Sequence, residues 1–293
     1  MTRTNSTLRS GGLALLLLIA LPAWAMAETP SSDNVGKTLA GSVLSRTEQA
    51  DVHAKAVNAV NAGVPQEDVE IILSRAINRK ADAGTINRLL DASVSAKKGD
   101  LPLGPVLDRI EQGLSKGVPP ERVAAASERL TAKLAEARPL VDTLIRDGMT
   151  PKRTGERDEA IESSARALER SIPAEELKAM GTAVRDKRGS LPLFTSAVDT
   201  ATYFTGRGMS SGTASRLVRN AVDKGYSIRD LDSMVKHMAA EMKRGARVED
   251  AAERMEQENM QSERGMGRQD MQSGRGGAGP GAGGMGGMGG SRK

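Results

Sequence analysis

The 293-residue chain contains no cysteine. Disulfides and a lipid-modified N-terminus are thereby excluded, and so is any structural zinc site built on thiolates. Stability in an oxidising compartment has to come from packing alone. Histidine is nearly as scarce, with only His53 and His237. Aromatic residues make up 2% of the chain, too few for a convincing sheet, and no stretch sustains the alternation of a strand. The charge that nucleic-acid binding needs is missing from the interior. The pI of about 9.5 arises at the two ends, and residues 28–262 carry 35 residues of each sign. Beyond the first 27 residues no run is apolar enough to cross a bilayer.

What is present begins with an export signal. Arg3 and Arg9 form a basic segment, Leu13 to Leu21 an apolar one, and Pro22 breaks it before Ala25-Met26-Ala27. Cleavage is expected before Glu28, with the Ala25/Met26 bond as the alternative. No twin arginine is present, so the general secretory route and a periplasmic or secreted destination are expected. Four segments follow from composition: a signal peptide over 1–27, a loose Ser/Gly/Thr-rich leader over 28–46, a helical-repeat region over 47–262, and a Gly/Met/Arg-rich tail over 263–293 that cannot build a core.

The helical region is punctuated by one kind of turn. Gly63-Val64-Pro65, Gly117-Val118-Pro119, Ser171-Ile172-Pro173, Gly208-Met209-Ser210 and Gly225-Tyr226-Ser227 each read as a helix end followed by a helix start. The Gly or Ser takes a positive φ at C′, the apolar residue sits at N′, and Pro or Ser occupies the N-cap. Five residues beyond each N′ stands an apolar partner for a hydrophobic staple: Val69, Val123, Leu177, Ala214 and Leu231. Four of these turns fall 54 residues apart. Lys97-Lys98-Gly99-Asp100-Leu101-Pro102-Leu103 is echoed 90 residues later by Lys187-Arg188-Gly189-Ser190-Leu191-Pro192-Leu193. Both intervals are multiples of 18, one short helix plus a turn. An 18-residue grid predicts breaks at every step from 65 to 245, including Arg138-Pro139.

The expected fold is therefore all-α, with about twelve short helices in α-hairpin repeats of about 18 residues per helix plus turn. A superhelix is the leading arrangement and a compact bundle the alternative. The polar stretch Thr150 to Gly155 is placed to divide two halves, with the 90-residue echo supporting a duplication across it. The turn Gly117-Val118-Pro119-Pro120-Glu121-Arg122-Val123, following Leu101-Pro102-Leu103 and the helix to Lys116, resembles turns in uncharacterised exported bacterial helical-repeat proteins over roughly residues 97–130. That resemblance implies export and a helical fold, and it implies no activity.

Several motifs carry chemical meaning, and each has a capping or packing alternative. Gly208-Met209-Ser210-Ser211-Gly212 matches the nucleophile elbow, with Asp230 and His237 following in order, but it follows a helix instead of a strand. Ser95-Ala96-Lys97-Lys98 lacks the companion signatures of the serine acyl-transferases it mimics. Gly36-Lys37-Thr38 lacks the upstream glycine of a phosphate loop. Met234, His237, Met238 and Glu241 share one helical face, and Met285 and Met288 lie in the tail. Soft thioethers beside an imidazole could hold copper(I), which is the alternative metal reading. The mature chain's four aromatics, Phe194, Tyr203, Phe204 and Tyr226, cluster within 33 residues. Phe194, Tyr203 and Phe204 are the candidates for contact with a partner.

The leading functional expectation is a non-enzymatic binding or scaffold protein of the cell envelope, without a cofactor. Its partner would be another envelope protein or a polymer and not a nucleic acid. A copper(I) buffer is the alternative, and an enzyme with an unrecognised site the third.

Overall fold

A computed structural model describes residues 32–254. The signal segment 1–27 and the tail 263–293 lie outside the described residues. Twelve helices and no strand occur among the described residues, so the fold is all-α. They are α1 (Ser32–Ala40), α2 (Arg46–Asn61), α3 (Gln66–Asn78), α4 (Ala83–Lys98), α5 (Gly104–Ser115), α6 (Pro120–Arg146), α7 (Glu156–Glu169), α8 (Ala174–Asp186), α9 (Leu191–Gly206), α10 (Ser211–Asp223) and α11 (Ile228–Lys243). Helix α12 covers residues 248–254, where the description ends.

The helices end in one way. Ten of them terminate in a residue with positive φ: Gly63, Lys80, Asp100, Gly117, Gly148, Ser171, Arg188, Gly208, Gly225 and Gly245. At each, the next residue's N–H returns to a carbonyl five positions back, as in Val64 to Ala59, Val118 to Gly113 and Tyr226 to Ala221. This is the Schellman closure, which satisfies carbonyls a bare helix end leaves unpaired. The following helices start where expected, with N-caps at Pro65, Pro119, Pro173, Ser210 and Ser227. Proline offers no capping side chain, and α3, α6 and α8 instead carry carboxylates in the first turn, at the positive end of the dipole. Val64, Ile172 and Met209 are buried as staples require, whereas Val118 is 37% exposed, so the staple expected from it is not closed.

The spacing of the ten ends reveals the architecture. Four ends in the first half (63, 80, 100, 117) and four in the second (171, 188, 208, 225) are separated by a uniform 108 residues. The same offset carries α3 onto α8 and α4 onto α9 from first residue to last. It also carries core onto core. Val52, Ala56 and Ala59 correspond to Ala160, Ser164 and Ala167; Ile86, Leu89 and Leu90 correspond to Phe194, Ala197 and Val198; Val106, Ile110 and Leu114 correspond to Ala214, Val218 and Val222, all buried. The structure is thus two units of one pattern. Bulk is redistributed between them: Leu73 is replaced by Gly181, where an added Cβ would come within 2.6 Å of the Leu144 side chain.

This repeat corrects three expectations. The 90-residue echo does not mark equivalent places, because Asp100 ends α4 two residues after Lys98, while Arg188 itself occupies that position at the end of α8. The break expected at Arg138-Pro139 is absent, since α6 runs 27 residues through Pro139. Buried Val123, Ala124, Leu130, Leu134, Ala137, Val141 and Leu144, with Ser127 and Thr131 among them, form one buried stripe that runs past the proline, and its burial outweighs the loss of one helical hydrogen bond. The counterparts of Arg138 and Pro139 in the second unit are Ala246 and Arg247, which follow Gly245, and there the chain does break before α12. By the same offset residues 140–146, the second part of α6, correspond to α12 in the second unit and to α1 ahead of α2. The leader expected to be loose over 28–46 contains α1, whose Val35 and Leu39 are buried against α2 and α3.

Helices two apart in the chain pack side by side. One layer runs α2, α4, α6, α7, α9, α11, and the other runs α1, α3, α5, then α8 and α10, with α6 long enough to touch both layers at the junction. Every extensive contact among the described helices joins partners no more than two apart in chain order. That is the contact pattern of a two-layer array, in which a helix packs chiefly on its neighbours.

Candidate functional site

Two depressions lie on the α2–α4–α6–α7–α9–α11 layer. The first, about 890 Å³, is a groove between α4 and α6. Its floor is Ala92, Leu101, Ala132, Ala135 and Pro139, and α6 turns this second face outward beside its core stripe. Pro139 has no N–H, so the carbonyl of Ala135 lacks its donor from residue 139 at the middle of the groove.

The charged rim of this groove is internally matched at all but one residue. Arg88 of α4 donates two bonds of 2.7 Å to the Glu128 carboxylate of α6, which holds that carboxyl below its ordinary value. Lys55 of α2 pairs with Asp91 at 2.7 Å. Arg157 of α7 pairs with Asp142 at 2.8 Å and with Asp100 at 3.0 Å, tying α7 to α6 and to the turn after α4. Arg138 donates to the carbonyl of Gly99. These are half-exposed pairs of modest energetic weight individually, but they bridge neighbouring helices and keep the two walls in register. The result is an apolar trough whose rim is neutralised except at Arg146, which donates to the Asp142 carbonyl and the Thr143 hydroxyl.

The second depression, about 550 Å³, lies between α9 and α11 with Glu159 of α7 at its edge. By the 108-residue offset it is the first groove's counterpart. Asp199 occupies the place of Asp91, Thr200 that of Ala92, Tyr203 that of Ser95, and Lys236 that of Glu128. The aspartate is again held from the preceding helix of the layer: Ser163 donates to Asp199 at 2.6 Å, where Lys55 pairs with Asp91 in the first unit, and Arg166 adds a second contact at 3.0 Å. What differs is the clasp. Ser196 stands where Arg88 would be and Lys236 where Glu128 would be, so no ion pair joins α9 to α11 across the opening.

Of the three aromatic candidates for partner contact, only Tyr203 reaches the surface. Phe194 and Phe204 are fully buried and are corrected to core residues, because neither can meet a partner while the fold is intact. Tyr203 packs edge-on against Phe204, with centroids 6.0 Å apart, and carries the Arg207 guanidinium 5.1 Å from its ring centre. The copper(I) face is likewise corrected. Met234 and Met238 are buried in the core, whereas His237 is exposed, so helix α11 parts the thioethers from the imidazole. The buried Glu241 is engaged by Arg244 at 2.7 Å and Arg254 at 2.8 Å. Met285 and Met288 lie outside the described residues. No cluster of three His, Asp or Glu suited to a metal occurs among the described residues.

The remaining motifs have structural duties. Ser210 caps α10, accepting from the Thr213 N–H at 3.1 Å. Asp230, the acid of the apparent triad, closes a capping box by accepting from the N–H and hydroxyl of Ser227. Gly36-Lys37-Thr38 lies inside α1, with the Thr38 hydroxyl bonded to the Asn34 carbonyl. Ser95 is exposed on the wall of the first groove.

No family model, curated protein or solved structure matches this chain. The grooves themselves escaped the sequence reading, because alanine and proline on a helix carry no chemical signature. The available clue was the second small-residue face of α6 at Ala132, Ala135 and Pro139, separate from its buried stripe.

Proposed function

We propose that this is an exported, non-enzymatic helical-array scaffold of the cell envelope. On this reading it holds a polypeptide segment of another envelope component in the α4–α6 groove. The observation that carries the reading is the groove itself: an apolar trough of about 890 Å³ whose rim charges, Arg146 apart, are already matched to one another. Such a trough favours apolar side chains over charged ligands. The Ala135 carbonyl adds an acceptor suited to a backbone N–H. No described helix is long and apolar enough to cross a membrane. The signal-like start of the chain is what supports an envelope location.

The test uses a photo-crosslinking amino acid at Ser95, in cells expressing the whole chain. It should yield an adduct with one envelope component, and Ala132→Arg, which fills the trough, should reduce that adduct at least tenfold. The recovered protein should begin at Glu28. An adduct indifferent to Ala132→Arg would overturn the groove as the site, and an uncleaved cytoplasmic product would overturn the envelope assignment.

A further inference from the structure

The second groove differs from the first in a way that leaves it open. In the first unit, Arg88 and Glu128 clasp α4 to α6 across the surface. The equivalent residues of the second unit are Ser196 and Lys236, which form no such pair. Asp232 lies one turn before Lys236 on the same wall, and among the described residues neither makes an ion pair. Beside them the groove presents Tyr203, Val235 and Ile228, the last 40% exposed. The α9–α11 groove therefore offers an apolar bed flanked by two unmatched charges of opposite sign.

The chain itself carries a segment of matching chemistry close by. Helix α12 is anchored to α11 through Arg254 and Glu241, and 39 residues follow Arg254 in the chain. Asp232 lies nine residues before Glu241, about 13 Å along the axis of α11 at 1.5 Å per residue. Ten residues of extended chain reach about 33 Å, so a segment beginning near Glu263 can span the distance with length to spare. Residues 263–271 read Glu-Arg-Gly-Met-Gly-Arg-Gln-Asp-Met. They combine both signs of charge with unbranched thioethers that adapt to irregular apolar surfaces, and with glycines that let the backbone approach closely.

We propose that residues 263–271 of the chain's own tail occupy the α9–α11 groove, with Met266 and Met271 on Tyr203, Val235 and Ile228, and Arg264 or Arg268 against Asp232. The tail is then an internal occupant of the second groove. It leaves the α4–α6 groove, about three interhelical spacings or roughly 25–30 Å away, free for a partner. Docking of the tail does not depend on the identity of that partner.

The absence of cysteine makes disulfide trapping clean. In the mature full-length chain, the pair Lys236→Cys with Met266→Cys should close an intramolecular disulfide under mild oxidation at least ten times faster than Ser95→Cys with Met266→Cys. The second pair probes the first groove, which the tail can also reach. Adding Asp232→Lys, a change at an exposed position, should bring the faster rate down toward the slower one. Equal rates for the two pairs would overturn the proposal. A disulfide that forms only between two chains, in proportion to concentration, would overturn docking within one molecule in favour of a second copy as the occupant.

Discussion

At the scale of single residues, the helix ends separate what glycine does from what the turn requires. Six of the ten helix ends with positive φ are glycine, while Lys80, Asp100, Ser171 and Arg188 adopt the same conformation at a steric cost. An L-residue in the left-handed region costs about 1–2 kcal/mol, part of which glycine returns as lost chain entropy on folding. Ser171→Gly is therefore expected to stabilise the protein by about 0.5–1 kcal/mol in urea unfolding, and Gly63→Ser at the equivalent turn to destabilise it by a similar amount. If both changes lower stability, the turn is held by contacts of the Ser171 side chain and not by its backbone conformation. The sequence made this position legible, because Ser171 falls where glycine stands in the related turns. Lys80 and Arg188 were not legible, since a long cationic side chain gives no hint of a positive φ.

At the scale of elements, α6 shows tertiary packing overriding a local signal. Pro139 and the 18-residue spacing both argue for a break, and at Gly245 in the second unit the chain does break. In the first unit the buried stripe from Val123 to Leu144 runs past the proline, and its partners in both layers are in place on either side of it. The cost of proline in a helix interior, about 3 kcal/mol, is thus carried by packing. Pro139→Ala should raise the stability of the protein by about 1–3 kcal/mol, read as a higher urea midpoint with an unchanged slope. A fall in stability would mean that the proline ring is itself a packing contact. Helix α1 is the converse case. Its composition reads as a loose leader, and it is ordered because Val35 and Leu39 find a surface on α2 and α3.

At the scale of the whole molecule, stability against acid is distributed over several elements. Four carboxylates are held below their ordinary values: Glu48 by the Ser45 hydroxyl and N–H, Glu128 by the Arg88 guanidinium, Glu156 by the Lys152 N–H with Arg153 beside it, and Asp230 by the N–H and hydroxyl of Ser227. A carboxyl with a depressed folded-state pKa binds its proton more weakly folded than unfolded. Its contribution is complete above the ordinary unfolded value, 4.5 for Glu and 3.8 for Asp, and is lost as pH falls through the folded one. Burial raises Asp68, which acts in the opposite sense. The melting temperature, followed by circular dichroism, should be level from pH 7 to about 5.5 and fall progressively below about pH 4.5. A melting temperature that rises as pH is lowered through 4 would refute this assignment.

The sequence by itself determined the helical class, the chemistry of the turns and the positions of most helix starts. These depend on residues a few places apart: a small residue at C′, an apolar one after it, a capping residue next. Such interactions are local and repeat wherever the same few residues recur. The tertiary structure alone decided that α6 is one helix, that α1 is ordered, that Phe194 and Phe204 are core, and that His237 is parted from Met234 and Met238. It also decided that residues 108 apart in sequence occupy equivalent places in two units. Each of these turns on which surface a neighbouring helix presents, and that surface is assembled from residues tens of positions away. The grooves belong to the same category. A trough between two helices is a property of their separation and of the ion pairs that set it, and it exists only once both helices are in place.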